Sequence, residues 1–350
     1  MRAVEAGLAA VMSLAVVGWL QFRSGAYQAD FDATEDEPAH VVTSLMVRDY
    51  LVSGRLRHPW EFATAYYIHY PKVAMLHWPP VFHLAEAIWM LAAQRSRAAL
   101  LGFQALVGAA LVFSVGAFVR RDGGLWMGAF AAMLVAVSPP MQMAVSMVSP
   151  DILLGALVFW AAIAYGNWWW FWVLTVVALG THGRAAPLLM FPVLAAIFQR
   201  PTLRRFSAVV GIGVVFLVLP RFFGHAYSTD ARTILVDGGA YVMRLGAALS
   251  WPVLFLSLIG AMVRKEMAAL VLSCWIFHAI VNVPLADYFL VTAVPAAVVL
   301  AACGVGAIWA RGFGTQRRKG AKKIAMGVGL AAIALWGCFS GALRQNFLVL

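Results

Sequence analysis

The chain has 350 residues, of which 63% are hydrophobic and only 12% charged. A soluble fold of that length needs far more polar surface, so lipid is the solvent expected for most of it. Its formal charge of +11 is spread in short basic clusters between apolar stretches, which reads as membrane topology, so no nucleic-acid partner is expected.

In chain order, the first apolar run, about Val4 to Phe22, follows a single Arg2 and lacks a small-residue cleavage site. It reads as a retained anchor with its N-terminus in the cytoplasm. Residues 23–97 form the long hydrophilic stretch and carry Asp30, Asp32, Glu35, Asp36, Glu37, Asp49, Glu61 and Glu86, more than half of the 15 acids. This is the expected first extracytoplasmic loop. Within it, Pro38 to Ser53 has an apolar stripe of Val41, Val42, Leu45, Met46 and Val52, with Thr43, Ser44 and Arg48 turned away, the pattern of a helix lying on a membrane surface.

Trp78 to Gln94 is apolar enough to be a span, yet it opens on Pro79-Pro80 and carries His83 and Glu86. If it only dips into the interface, Arg120-Arg121, Arg200 with Arg204-Arg205, Arg264-Lys265 and the basic run from Arg311 to Lys323 all fall on the cytoplasmic side. The interfacial arrangement is therefore expected. The spans that follow are roughly Ala98–Val119, Leu125–Met147, Ile152–Tyr165, Trp168–Thr181, Ala185–Phe198, Phe206–Leu219, Leu245–Val263, Met267–Val283, Tyr288–Ala310 and Ile324–Ala342. With the anchor they make about eleven transmembrane helices. The expected architecture is an all-α polytopic protein of the inner membrane, one membrane-embedded domain over residues 1–350 with no soluble C-terminal domain. Its extracytoplasmic face receives the acidic loop, Asp151, the turn His182-Gly183-Arg184, the loop from Arg221 to Arg244, and Asp287.

Residues able to carry chemistry gather on that face. Helix capping explains one or two acids of Glu35-Asp36-Glu37-Pro38, but not a cluster, which could supply a general base or bind a divalent ion through hard oxygens. Asp151 follows Ser149-Pro150 and opens a span; it reads either as a helix-terminal acid or as an intramembrane functional group. His182 and Arg184 either snorkel to headgroups or bind a phosphorylated lipid, because a guanidinium fork matches phosphate oxygens. Cys274, Cys303 and Cys338 lie in apolar stretches without metal-ligand spacing. No P-loop and no GxGxxG after a strand is present, so neither a nucleotide nor an organic cofactor is expected.

These residues, in this order, resemble the GT-C membrane glycosyltransferases, especially the protein O-mannosyltransferases and the aminoarabinose transferases of lipid A. The resemblance runs through most of the chain. Asp36-Glu37 open a surface helix after the first span, as an Asp-Glu pair does in that family. His77-Trp78-Pro79-Pro80 stands where the family has Lys-Pro-Pro, and Ser149-Pro150-Asp151 matches its later Asp. Thr181-His182-Gly183-Arg184 resembles its Thr-Lys-Gly turn, and Asp287-Tyr288-Phe289-Leu290 with Pro295 its Arg-Tyr-Leu-Leu-Pro stretch.

The resemblance implies transfer of a sugar from a polyprenyl-phosphate donor to an extracytoplasmic acceptor (a glycan, lipid or protein) in a lipid-embedded site. It implies catalytic Asp36 and Glu37, a Mg2+ or Mn2+ ion near Asp36 and Asp151, and donor-phosphate contacts from Arg184, His182, Lys72 or His77. The two family lysines are Trp78 and His182 here, so those contacts must be redistributed. The rival readings are a transporter or flippase, with Glu86 or Asp151 as a coupling site, and a non-catalytic envelope scaffold.

Overall fold

A computed structural model of the protein describes residues 3–31, 34–54, 58–74, 77–198, 230–281 and 285–312. Every regular element among them is a helix. The expected spans Phe206–Leu219 and Ile324–Ala342 lie outside the described residues, as do Cys338 and Asp32.

Helix α1 (Ala3–Arg23) buries only Ser13, Val17 and Gln21, leaving Val4, Leu8, Val11 and Trp19 on an outward apolar face. A 21-residue helix with such a face is stable only if lipid covers it. The chain is a helical membrane protein. Gln21 locks the far end of α1: its amide donates to the Leu101 and Val145 carbonyls at 2.9 and 2.6 Å, and its oxygen accepts from Tyr27 at 2.6 Å.

The acidic loop contains helices α2 (Glu37–Val52), α3 (Pro59–His69) and α4 (Val81–Ala92). At 1.5 Å per residue the 12 residues of α4 span only about 18 Å, well short of a hydrocarbon core of about 30 Å. The expected helix over Pro38 to Ser53 forms one residue early, and its buried face differs from the apolar stripe. Thr43 and Ser44 point inward while Val52 is exposed. The reason is the partner: α4 packs on that side of α2 and presents His83 and Glu86, both buried. Thr43 donates to the Ala39 carbonyl at 2.6 Å and accepts from the Ala74 amide at 3.1 Å, so its burial leaves no orphan hydroxyl.

Helix α5 (Arg97–Val137) is a hairpin of two helical halves that turn at Gly124, whose φ of 80° favours glycine. Gly116 and Gly128 let the halves touch backbone to backbone. At that turn Arg120 pairs with Glu5 at 2.7 Å and Arg264 pairs with Asp122, so these charges gather at one end of the bundle. Short helices α6 (Pro139–Ser146), α7 (Asp151–Ile163), α8 (Trp168–Thr181) and α9 (Pro187–Phe198) follow, with a 3-10 turn Gly183–Ala185 before α9. The expected span Leu125–Met147 is thus broken at Ser138, where Pro139-Pro140 starts a new helix.

The expected loop over Arg221 to Arg244 is helical in its described part. Helix α10 (Ala231–Leu249) begins there and meets α11 (Trp251–Ala261) at a 109° bend. The bend falls on Ser250, held at φ 69°. Helices α12 (Lys265–Ile280) and α13 (Val294–Gly312) complete the described bundle, joined through a 3-10 segment Asp287–Thr292. Helix α13 packs along α11, where a Cβ on Gly260 would overlap the Leu300 carbonyl and one on Gly304 the Leu256 carbonyl. Ser257 bridges the same crossing, donating to the Ala297 carbonyl at 2.8 Å.

Candidate active site

At the end of the bundle away from the Glu5–Arg120 pair, α2, α7, α12 and the two 3-10 turns converge on a cavity of about 210 Å³. Its lining brings together Asp36, His40, His77, Trp78, Asp151, His182, Arg184, His278, Tyr288 and Phe289. Five of the sequence-derived candidates, distant along the chain, therefore share one cavity: Asp36, His77, Asp151, His182 and Arg184.

Asp36 is the N-cap residue of α2, but its side chain makes no capping hydrogen bond. The cap explanation for this acid is not realised, and its exposed carboxylate is available to the cavity. Glu37 goes elsewhere. It is fully buried, accepts from Arg97 Nη1 at 2.7 Å and from the Val148 amide at 2.9 Å, and does not line the cavity. Arg97 also donates to the Ala26 carbonyl at 2.8 Å and lies over the Phe31 ring. The Glu37–Arg97 pair thus fastens the start of α2 to the segment after α1 and to the α6–α7 turn, and so fixes where Asp36 stands. In the sequence Arg97 marks only the end of the hydrophilic stretch; its role rests on contacts far away in sequence.

Asp151 starts α7 beside Pro150 and is almost fully buried. Arg184, on the turn between α8 and α9, reaches it with Nη2 at 2.8 Å. The guanidinium is fixed from two further sides. His182 Nδ1 accepts from the Arg184 backbone amide at 3.0 Å and from Nε at 3.3 Å, and the guanidinium carbon sits 3.6 Å from the centre of the Phe289 ring. Arg184 Nη1 is left buried with no hydrogen-bond partner among the described residues. A donor so held is ready for an anionic oxygen. Lys72 is not in this lining; it borders an adjoining recess of about 480 Å³ that shares His77.

His40, Trp78 and His278 were not among the candidate site residues, although Trp78 stood out as a replaced lysine. His40 was hidden inside a helix read as amphipathic, and no spacing distinguishes it there. His278 lines the cavity with Nε2 unpartnered while Nδ1 lies 2.8 Å from the Cys274 carbonyl. Glu86 is buried between α2 and α4, apart from the cavity.

The expected Mg2+ or Mn2+ ligands do not make a cation site by themselves. Asp151 is committed to Arg184, and among the described residues no three His, Cys, Asp or Glu side chains are grouped closely enough to hold a metal ion.

The all-helical bundle with this cavity at one end shares its fold with a solved membrane-protein structure. It matches ArnT from Cupriavidus metallidurans in the apo state, with a TM-score of 0.59 and 16% identity over 97% of this chain and 74% of that one. ArnT bound to undecaprenyl phosphate matches with a TM-score of 0.59 and 18% identity, over 97% of this chain and 71% of that one. No protein-family model and no curated protein matches the sequence.

Proposed function

We propose that this chain is a membrane glycosyltransferase that moves a sugar from a polyprenyl-phosphate donor to an extracytoplasmic acceptor. The observation that carries the reading is the presence of Asp36 and the Arg184–Asp151 pair in the lining of one cavity, in a fold shared with a protein that binds undecaprenyl phosphate. The donor phosphate meets Arg184 Nη1, and its polyprenyl chain lies between the helices in lipid. Asp36 accepts the proton of the acceptor hydroxyl, or orients that hydroxyl, as its oxygen attacks the anomeric carbon. The bond between that carbon and the phosphate oxygen breaks, and the electron pair leaves with polyprenyl phosphate. Arg184 offsets the growing charge, aided by its fixed orientation, since a donor that need not reorganise stabilises the transition state most. Asp151 aligns the guanidinium and has no direct part in the chemistry.

The same reading puts the protein in the inner membrane with its N-terminus in the cytoplasm. The Arg120 and Arg264 end of the bundle then faces the cytoplasm and the cavity the opposite side, in line with the positive-inside rule. Nucleotide sugars are cytoplasmic, which favours a lipid-linked donor at such a site.

The test uses purified protein in lipid with a polyprenyl-phosphate sugar and candidate acceptors. Release of free polyprenyl phosphate together with a new glycosidic bond is the expected result. Transfer directly from a nucleotide sugar, or movement of the lipid across the bilayer without a new bond, would overturn the reading.

A further inference from the structure

Beside Asp36, one helical turn along α2, His40 lines the cavity although it is only 4% exposed. Its Nδ1 lies 3.2 Å from Nε2 of His83 on α4. The nearby Pro79 carbonyl also favours a proton on the His83 ring. A carbonyl only accepts, so the His83 nitrogen facing it carries a proton. With Nε2 engaged by His40, that nitrogen is Nδ1. Neutral His83 then accepts at Nε2, His40 donates from Nδ1, and His40 Nε2 is a bare lone pair.

Beyond His83 there is only a backbone carbonyl, so the pair offers no exit for a proton taken up at His40. Burial foremost, and then the nearness of His83, Arg184 and His77, pushes the His40 imidazole down to about 2. His40 is thus a poor base and a fixed hydrogen-bond acceptor. Its ring packs against the Trp78 indole with centroids 4.0 Å apart, and His77 meets the same indole edge-on at 4.7 Å. Both rings pack on the indole, which lines the cavity.

An apolar aromatic surface beside a neutral acceptor is what a pyranose requires, with its C–H face and its hydroxyl donors. We propose that Trp78 and His40 form the sugar subsite of this cavity, the indole packing on the ring of a hydroxyl-bearing pyranose while His40 Nε2 accepts from one of its hydroxyls. This rests on the polyprenyl-phosphate reading and assigns the sugar end of the donor, opposite in chemistry to the phosphate end at Arg184. It also gives Trp78 a purpose where the family resemblance leads one to look for a lysine.

The experiment measures binding of undecaprenyl phosphate alone and of undecaprenyl-phosphate mannose and glucose to the full chain in lipid. The unaltered protein binds one sugar-bearing lipid about tenfold tighter than the bare lipid, the scale of one buried neutral hydrogen bond. His40→Ala and Trp78→Ala each erase that preference and leave the bare lipid within about twofold. His40→Gln, which keeps an acceptor oxygen, retains part of it. Monodeoxy forms of the preferred sugar, tested on the unaltered protein, give a readout independent of any variant's folding: one position loses about tenfold. A preference that survives His40→Ala, equal weakening of both lipids, or equal binding of every deoxy form overturns the subsite. No sugar preference in the unaltered protein overturns it too, while leaving the donor class intact. Failure to bind undecaprenyl phosphate at all sinks the donor class itself, and the subsite with it.

Discussion

Asp36 and Glu37 are neighbours in sequence and opposites in use: Asp36 is exposed to the cavity, whereas Glu37 is fully buried on Arg97 at 2.7 Å. The arrangement follows from the start of α2, where consecutive residues point about 100° apart. One carboxylate is thereby free for chemistry and the other anchors it.

The two acids should therefore separate cleanly by mutation. Asp36→Asn keeps the shape, removes the proton acceptor, and should cut transfer by about 10²- to 10⁴-fold with an unchanged melting temperature. Glu37→Gln should act first on stability. It leaves the Arg97 guanidinium buried without its counter-charge, a loss of about 3–5 kcal/mol when one partner of such a pair is removed. Thermal unfolding in detergent and turnover of a polyprenyl-phosphate sugar, measured on both variants, check this. Full turnover by Asp36→Asn would defeat its assignment as the base.

Arg97 is the other half of the same anchor. Arg97→Met should release Glu37, and with it the start of α2, from the segment at Ala26, and lower stability by about as much as Glu37→Gln. Because both variants break one interaction, the double variant should cost much less than the sum of the two. Additive losses would show that Glu37 and Arg97 do not act as a pair.

Much of the architecture was legible from apolar runs, because lipid imposes a simple rule on composition. α8 falls on the expected Trp168 to Thr181, and the helix after Asp36 forms within a residue of its expected start. The misses share a cause. Ser250 bends the chain by 109° inside a continuous apolar run, and hydropathy has no means of registering a backbone angle. Thr43 and Ser44 turn inward where the segment at Ala74 and α4 pack on α2, which a single-helix pattern cannot contain. At the site, Asp36, Asp151 and Arg184 were visible because charges are rare in such a chain. His40 and Arg97 were not, since what distinguishes them is contact with residues dozens of positions away.

The close crossing of α11 and α13 gives a test of the bundle away from the site. Gly260→Val or Gly304→Val would push a side chain into the facing backbone, and overpacking of this kind costs about 1–3 kcal/mol, more where backbone must move. Melting in detergent should drop for both, while the affinity for undecaprenyl phosphate at temperatures well below the transition stays near that of the unaltered protein. Unchanged melting would show that the helices do not meet there.

Topology can be read by labelling. In a background without cysteine, single cysteines at Ser53 and Ser96 flank α4, and one at Arg121 lies at the turn of the α5 hairpin. A membrane-impermeant thiol reagent applied outside should modify the first two and spare the third. Protection of the Ser96 site with labelling at Ser53 would mean that α4 crosses the membrane despite its 12 residues.

Arg184 offers the most direct test of how the site handles charge. Its Nη2 is spent on Asp151 at 2.8 Å and its Nη1 has no partner among the described residues, so the fork is divided between holding itself in place and receiving a ligand. Arg184→Lys keeps one positive charge but has no fork, and an ammonium paired with Asp151 has no second planar donor in a fixed direction. Both Arg184→Lys and Arg184→Ala should therefore raise the KM for the polyprenyl-phosphate donor more than that for the acceptor, with Ala the worse of the two. Asp151→Asn should do the same more mildly, since it frees the guanidinium without removing it. With Arg184 supplying the positive charge, transfer by the unaltered protein should survive a strong chelator of divalent ions. Loss of transfer in chelator, restored by Mg2+ or Mn2+, together with normal donor KM in Arg184→Lys, would move the task of neutralising the leaving phosphate from this arginine to a metal ion.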